Sequence, residues 1–302
     1  MKKILVVGSS GMLGLDLCEV LKNNYAVVGL DLNTAPQGAS GPAELIKADI
    51  TDKESISKVV ISARPDAIIH AAAWTDVDGC EGDPDKAYKI NALGSQNMAQ
   101  LTNAMNIPFF YISTDFVFDG RKDSPYNEDD TTNPISAYGM SKLQGEELIK
   151  KSANKFFILR TSWLFGRWGK NFVDTIINKA KNEKTLKVVD DQIGSPTYTK
   201  DLALGIKAMV DLLSSRNSPD NVFGIYHMSN SGSCSWFEFA QAIFKKIKIR
   251  DVELLPVTSE QLNRPAKRPK MSVLDNSRYE KLTGSPLRPW SEALSDYLSL
   301  KR

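Results

Sequence analysis

The chain has 302 residues, with 42% hydrophobic, 25% charged and 9% aromatic residues, enough to bury a core in one large domain or one domain plus a lobe. A formal net charge of +2 supplies no basic face, so neither nucleic acid nor an acidic membrane is an expected partner. No apolar run reaches the roughly 18–20 residues needed to cross a bilayer, so no membrane partner is expected either.

The amino terminus, MKKILVVGSSG, opens like a secretory signal, but its apolar run ends at Gly8, short of the roughly 7–15 residues of a signal core. It reads as a first β-strand. Three widely spaced cysteines (Cys18, Cys80, Cys234) without a C-x-x-C read as reduced thiols of a cytoplasmic protein. His70 and His227 stand at strand ends without cysteine or histidine at metal spacing, so no metal site is expected.

Strands are expected at KILVVG (3–8), AVVGLD (26–31), DAIIHAAA (66–73), PFFYIST (108–114) and KFFILRTSW (155–163), with a short one before Asp49. These runs are apolar throughout rather than alternating, as parallel strands covered on both faces must be. Amphipathic stretches at 11–23, 52–62, 84–105 and 139–151 supply the helices between them. The alternation specifies an α/β fold, a Rossmann-like doubly wound parallel sheet over residues 1–163. Beyond it the rhythm changes. KDLALGIKAMVDLL is a helix expected to pack back on the sheet (about 199–214), while 164–198 and 224–302 read as a smaller substrate-binding lobe over the carboxyl ends of the strands.

GSSGMLG (8–14) follows the first strand and opens a helix with G-x-x-G-x-x-G spacing. Gly8 permits a tight turn, Gly11 lets backbone amides approach a pyrophosphate, and Gly14 allows close helix–strand packing; the helix amino terminus then faces the phosphates. Asp31, ending the second strand, is placed to accept ribose hydroxyls. No arginine or lysine follows in DLNTAPQG to meet a 2′-phosphate, which favours NADH over NADPH. Asp49 stands where adenine would be met, and the small residues Ala71, Ala72 and Ala73 leave room for a dinucleotide to cross.

STDFVFDG (113–120) puts polar residues at the carboxyl end of the fifth strand, and SAYGMSK starts a helix on which Tyr138 and Lys142 share a face. Ketone reduction needs a hydride on carbon and a proton on oxygen. A phenol with a pKa near 10 becomes a usable acid when an ammonium stabilises its anion, so Lys142 is expected to lower the Tyr138 pKa. Thr114 is within reach of the phenol and of a substrate oxygen.

With GSSGMLG, AAAWTDVDGCE, STDFVFDG, YGMSK, RTSWLFG, DDQIGSPTY and RPKMSVLDN in this order, the chain resembles the extended short-chain dehydrogenase/reductase family over nearly its whole length. The last motifs are similar to those of its nucleotide-sugar reductases. The resemblance implies NADH- or NADPH-dependent reduction of the C4 ketone of dTDP-4-dehydro-6-deoxy-L-mannose, with Thr114, Tyr138 and Lys142 as the catalytic trio. It implies cofactor contacts at Gly8, Ser10, Gly11, Met12, Leu13, Asp31, Asp49, Ile50, Ala71, Ala72, Ala73, Tyr138 and Lys142. Thr114, Asp115 and Trp163 would meet the nucleotide-sugar substrate, the indole as a flat apolar wall. Arg264, Lys267, Arg268 and Lys270 are candidates for its diphosphate or a solvated basic loop. Some members bind Mg²⁺ through carboxylates at a dimer contact; Lys200 at one such position argues against that metal here, and monomer or homodimer stays open. Phe116, where a dehydratase of this scaffold carries glutamate, argues against elimination chemistry. An epimerase and a non-catalytic subunit like methionine adenosyltransferase β remain alternatives.

Overall fold

In the computed structural model, which describes residues 2–214 and 221–301, the apolar runs become strands β1 (Lys3–Val7), β2 (Ala26–Asp31), β3 (Glu44–Lys47), β4 (Ala67–His70), β5 (Phe109–Thr114) and β6 (Phe156–Thr161). With the strand Gly224–His227 they form one seven-stranded sheet in the order 224–227, β6, β5, β4, β1, β2, β3. Every pairing in it is parallel. The chain order reverses beside β1, which lies between β2 and β4 with Val7 opposite both Leu30 and His70. A parallel sheet opens its ligand crevice at this switch, beyond the strand ends.

Both faces of the sheet are covered, which is why the strands lack polar alternation. On one face Ile4, Val6, Ile69, Phe110 and Leu159 pack with Leu13, Leu17 and Leu21 of helix α1 (Met12–Leu21). The helix Thr199–Ser214 adds Leu202, Ile206, Met209 and Val210 to the same cluster. On the other face Leu5, Val7, Ile68, Phe109 and Ile158 meet Ile56 and Val60 of α2 (Lys53–Ala63). Asp52 caps α2 by accepting from Ser55 N at 3.0 Å, and Arg64 ends it in the left-handed region.

Two expectations are corrected. Residues 224–227, read as part of the lobe, extend the central sheet beside β6, because Gly224 to His227 pair in register with Phe157 to Arg160. The single helix expected over 84–105 is broken into α4 (Pro84–Tyr88), a π-turn (Lys89–Gly94) and α5 (Ser95–Ala104), after a short α3 (Val77–Gly82). The lobe elements have a core of their own, in which Phe165, Val173, Ile176, Phe239, Ile243 and Tyr297 are buried together.

Candidate active site

Beyond the carboxyl ends of β1, β2 and β4 lies a cleft of about 540 Å³. Gly8, Ser10, Gly11, Asp31, Asp49, Ile50, Ala71, Ala72 and Ala73 all line it. Gly8 is left-handed (φ +81°), and a Cβ there would lie 2.5 Å from Ala72 N. At Gly14 a Cβ would lie 2.0 Å from the Gly8 carbonyl oxygen, so only glycine lets α1 start against the turn. Gly11 caps α1 without a side-chain bond, leaving the first-turn amides directed at the cleft as helix starts do. The Asp31 carboxylate accepts from Ser10 N and Asn33 N, each at 2.9 Å, which fixes its aim at the cleft edge. A bare glycine cradle, a helix start and an oriented carboxylate fit a dinucleotide. Met12 and Leu13 are not among the lining residues: Leu13 is in the core, and the Met12 side chain lies against Gly166. Only their backbone can face the cleft, since the turn of α1 carries their side chains away. Trp74, Lys86, Lys89 and Ile90 also line the cleft and were missed. Lys86, Lys89 and Ile90 stand on the segment read as an uninterrupted amphipathic helix, and Trp74 follows Ala73 in the loop after β4.

Thr114, Tyr138 and Lys142 lie past Trp74 and do not line this cleft. Tyr138 and Lys142 belong to α6 (Ala137–Ser152), which Ser136 caps by accepting from Gly139 N at 3.2 Å. Gly139 is a second requirement that motif reading missed: a Cβ there would lie 2.2 Å from the Phe116 carbonyl oxygen, so glycine lets α6 abut the turn after β5. Tyr138 is 8% exposed and clusters with Trp74, Cys80, Ala87 and Phe116, whose ring meets it edge-on at 5.7 Å. The Thr114 hydroxyl accepts from Phe116 N at 3.2 Å and donates to Asp115 Oδ1 at 3.0 Å.

The electrostatics differ from the simple expectation. Burial pushes the Tyr138 phenol well above its ordinary range, opposed by a hydrogen bond with Thr114 and reinforced by the Asp115 charge. The expected lowering by Lys142 is therefore not found. Its ammonium instead donates to the Ile112 carbonyl oxygen at 2.7 Å and lies 4.0 Å from the centre of the Tyr111 ring. Burial pulls Lys142 down to about 7, with Glu146 pulling it back up. Asp115 is pushed up to about 7 by burial, against hydrogen bonds with Ser272 and Thr114.

Two buried polar clusters hold this region in place. Asn91, in the π-turn, accepts from Trp74 N at 2.8 Å and donates to Trp74 O at 3.0 Å and to Ser141 Oγ at 2.9 Å. It thereby ties the cleft wall to α6. π-turns recur at functional sites, and Gly94 inside a helical pattern was the available signal. Glu146, one turn past Lys142, accepts from Ser113 Oγ at 2.5 Å and from Arg160 Nε and Nη2 at 3.0 and 2.7 Å.

Trp163 is in the left-handed region (φ +47°), and its ring lies parallel to that of Trp236, with centroids 3.6 Å apart and planes at 6°. The wall expected of one indole is thus a stacked pair. In the basic loop, Arg264 and Arg268 pair with Asp78 of α3 at 3.3 and 3.0 Å. Two of the four candidate diphosphate ligands are thus engaged with the sheet domain, while Lys267 and Lys270 are exposed. Among the described residues no group of three or more His, Cys, Asp or Glu is placed to hold a metal, and no helix is long and apolar enough to cross a membrane.

A parallel sheet that switches at β1, a glycine cradle at that switch and a Tyr-x-x-x-Lys pair beside its wall define a Rossmann-like protein of the dehydrogenase/reductase type. The model of the RmlD substrate binding domain family matches residues 1–302, and the chain belongs to that family. It is 42% identical over 299 residues to the spore coat polysaccharide biosynthesis protein SpsK of Bacillus subtilis (strain 168), covering 99% of this chain and 97% of that one. It is 36% identical to a dTDP-4-dehydrorhamnose reductase of Aggregatibacter actinomycetemcomitans, covering 98% of each chain. A crystal structure of dTDP-4-dehydrorhamnose reductase from Bacillus anthracis str. Ames in complex with NADP superposes with a TM-score of 0.89 at 38% identity, covering 99% of this chain and 100% of that one.

Proposed function

We propose that the protein reduces the C4 ketone of dTDP-4-dehydro-6-deoxy-L-mannose to dTDP-L-rhamnose with NADH or NADPH, Tyr138 giving the proton. The observation that carries this reading is the adjacency of two features. The glycine cradle and oriented Asp31 end at Trp74, and Tyr138 packs against the same Trp74 with Thr114 in hydrogen-bond reach. The family match and the dTDP-4-dehydrorhamnose reductases at 36–38% identity support the substrate.

The chain's own groups divide the work. The amides of the glycine turn and of the first turn of α1 hold the cofactor phosphates, and Asp31 accepts ribose hydroxyls. When bound, the nicotinamide supplies the hydride. Tyr138 donates its O–H proton to the substrate oxygen. Burial keeps that proton in place through neutral pH, so the phenol acts from its acid form. Lys142, one helical turn on from Tyr138, would hold the nicotinamide ribose. Thr114 has one hydroxyl proton, donated to Asp115 Oδ1, and it holds the substrate oxygen by turning that proton to it. The lobe beyond residue 163 closes the sugar-nucleotide side with Trp163.

Replacing Tyr138 with Phe tests the assignment. Turnover of NADPH or NADH with the 4-keto sugar nucleotide should fall by about 10²–10⁴ while cofactor affinity persists. Unchanged turnover would remove Tyr138 as the acid, and no consumption of either cofactor by the wild-type chain would remove the reductase reading itself.

A further inference from the structure

The stack between Trp163 and Trp236 has the shortest centroid distance and the smallest interplanar angle of the aromatic pairs among the described residues. Trp163 lies two residues beyond the end of β6 (Phe156–Thr161), whereas Trp236 is the first residue of a lobe helix, Trp236–Ile247. Their rings are 3.6 Å apart and within 6° of parallel, so the contact bridges the two units face to face. Trp236 is itself backed by Phe172, at 4.6 Å and 50°, and by Phe239 at 6.4 Å, both in the lobe core. Its helix start is rigid: Ser235 accepts from Glu238 N at 3.0 Å, and Glu238 accepts from Ser235 N at 2.8 Å. The Ser235 hydroxyl also donates to Asp190 at 2.5 Å.

Trp163 has the opposite character. A bulky residue at φ +47° is in a sparsely populated backbone region, which persists only when its surroundings hold it there. The surroundings are visible. The Ser162 hydroxyl donates to Ser195 O at 2.7 Å, and Thr197 N donates to Trp163 O at 3.1 Å. Gly194 approaches so closely that a Cβ there would lie 2.5 Å from Trp163 Cε2. Backbone anchors fix where the chain goes, and the glycine supplies clearance. The close approach of Gly194 bears on the indole itself, and Trp236, lying flat against the ring, adds the contact that holds its plane.

We propose that Trp236 is a positioning residue for the nucleotide-sugar site: it holds the Trp163 indole in the orientation that receives the substrate. This rests on the reading of Trp163 as a substrate contact. The stack restricts the Trp163 rotamer before the sugar nucleotide arrives, so less ordering remains for binding. The cofactor cleft is lined by neither tryptophan, so the effect is confined to the second substrate.

The test compares Trp236→Leu, which keeps apolar volume but loses the flat face, with Trp236→Phe, which keeps a smaller one. An aromatic pair is worth about 0.5–1.5 kcal/mol beyond its area, so Trp236→Leu should raise the KM for the 4-keto sugar nucleotide about two- to tenfold. Its kcat should stay within about twofold and its NADPH affinity should be unchanged, and Trp236→Phe should recover most of the loss. Equal KM values for the Leu and Phe variants would overturn the proposal, as would a parallel fall in kcat and cofactor affinity. Trp163→Ala separates the two readings. If it leaves KM unchanged, Trp163 is not a substrate contact; if it raises KM while Trp236→Leu does not, only the positioning role fails.

Discussion

Glu146→Gln isolates the buried charge pair between α6 and β6. The carboxylate is completely buried, Arg160 is 1% exposed, and two N–H···O bonds of 2.7 and 3.0 Å join them. The amide keeps the shape and removes the charge, leaving a buried guanidinium whose other neighbours are the Phe118 ring at 5.1 Å and His227 Nε2 at 3.5 Å from Nη1. Breaking one side of a buried pair costs about 3–5 kcal/mol, about a fifth or more of the ~5–15 kcal/mol that holds a domain folded. Urea unfolding followed by circular dichroism should show that loss, with a melting temperature lower by about 5–8 °C. Adding Arg160→Met removes the orphaned charge and should bring stability back to within about 2 kcal/mol of wild type. A second readout is kinetic. Glu146 pulls the Lys142 pKa up toward its value of about 7, so without it the ammonium deprotonates at lower pH. Activity that needs charged Lys142 is lost as pH rises through that pKa, so the alkaline limb of kcat/KM should move to lower pH in Glu146→Gln. A loss under about 1 kcal/mol together with an unmoved alkaline limb would refute both the energetic and the electrostatic reasoning.

The glycine cradle should separate by position. Gly14→Ala forces a Cβ to 2.0 Å from Gly8 O and should cost at least the ~1–3 kcal/mol of overpacking, whereas Gly11→Ala meets the same oxygen at 3.3 Å and should leave the melting temperature nearly unchanged. Equal melting temperatures would contradict the assigned packing. His70 and His227 are both held down to about 3, His70 by burial then the Lys142 charge, His227 by burial then the Arg160 charge. Each folded pKa lies below the unfolded value near 6.5, so the stability each contributes is complete above that value and is lost as pH falls through it. Between pH 7 and 5 each should cost about 2 kcal/mol, and His70→Gln should shrink that loss by the same amount in urea titrations. An unchanged pH dependence in His70→Gln would show that the ring already carries its proton in the folded state.

The strand runs were legible because parallel strands buried on both faces need continuous apolar residues, as Leu5-Val6-Val7 and Phe109-Phe110-Tyr111 show. The seventh strand was not, since Gly224-Ile225-Tyr226-His227 is short, flanked by breakers, and becomes a strand only through pairing with β6. The break at Lys89–Gly94 was equally hidden, because Asn91 earns its place through Trp74 and Ser141, neither of which is near it in sequence.

Local chemistry alone determined the glycine turn, the carboxylate after β2 and the helix carrying Tyr138 and Lys142. Each depends on backbone sterics or hydrogen bonds within a few residues. The direction of the Lys142 ammonium toward Ile112 O, the upward shift of Tyr138, the pairing of Arg264 and Arg268 with Asp78 and the stacking of Trp163 on Trp236 were decided by the tertiary structure. Desolvation and long-range contact are properties of the packed chain, and no window of neighbouring residues contains them.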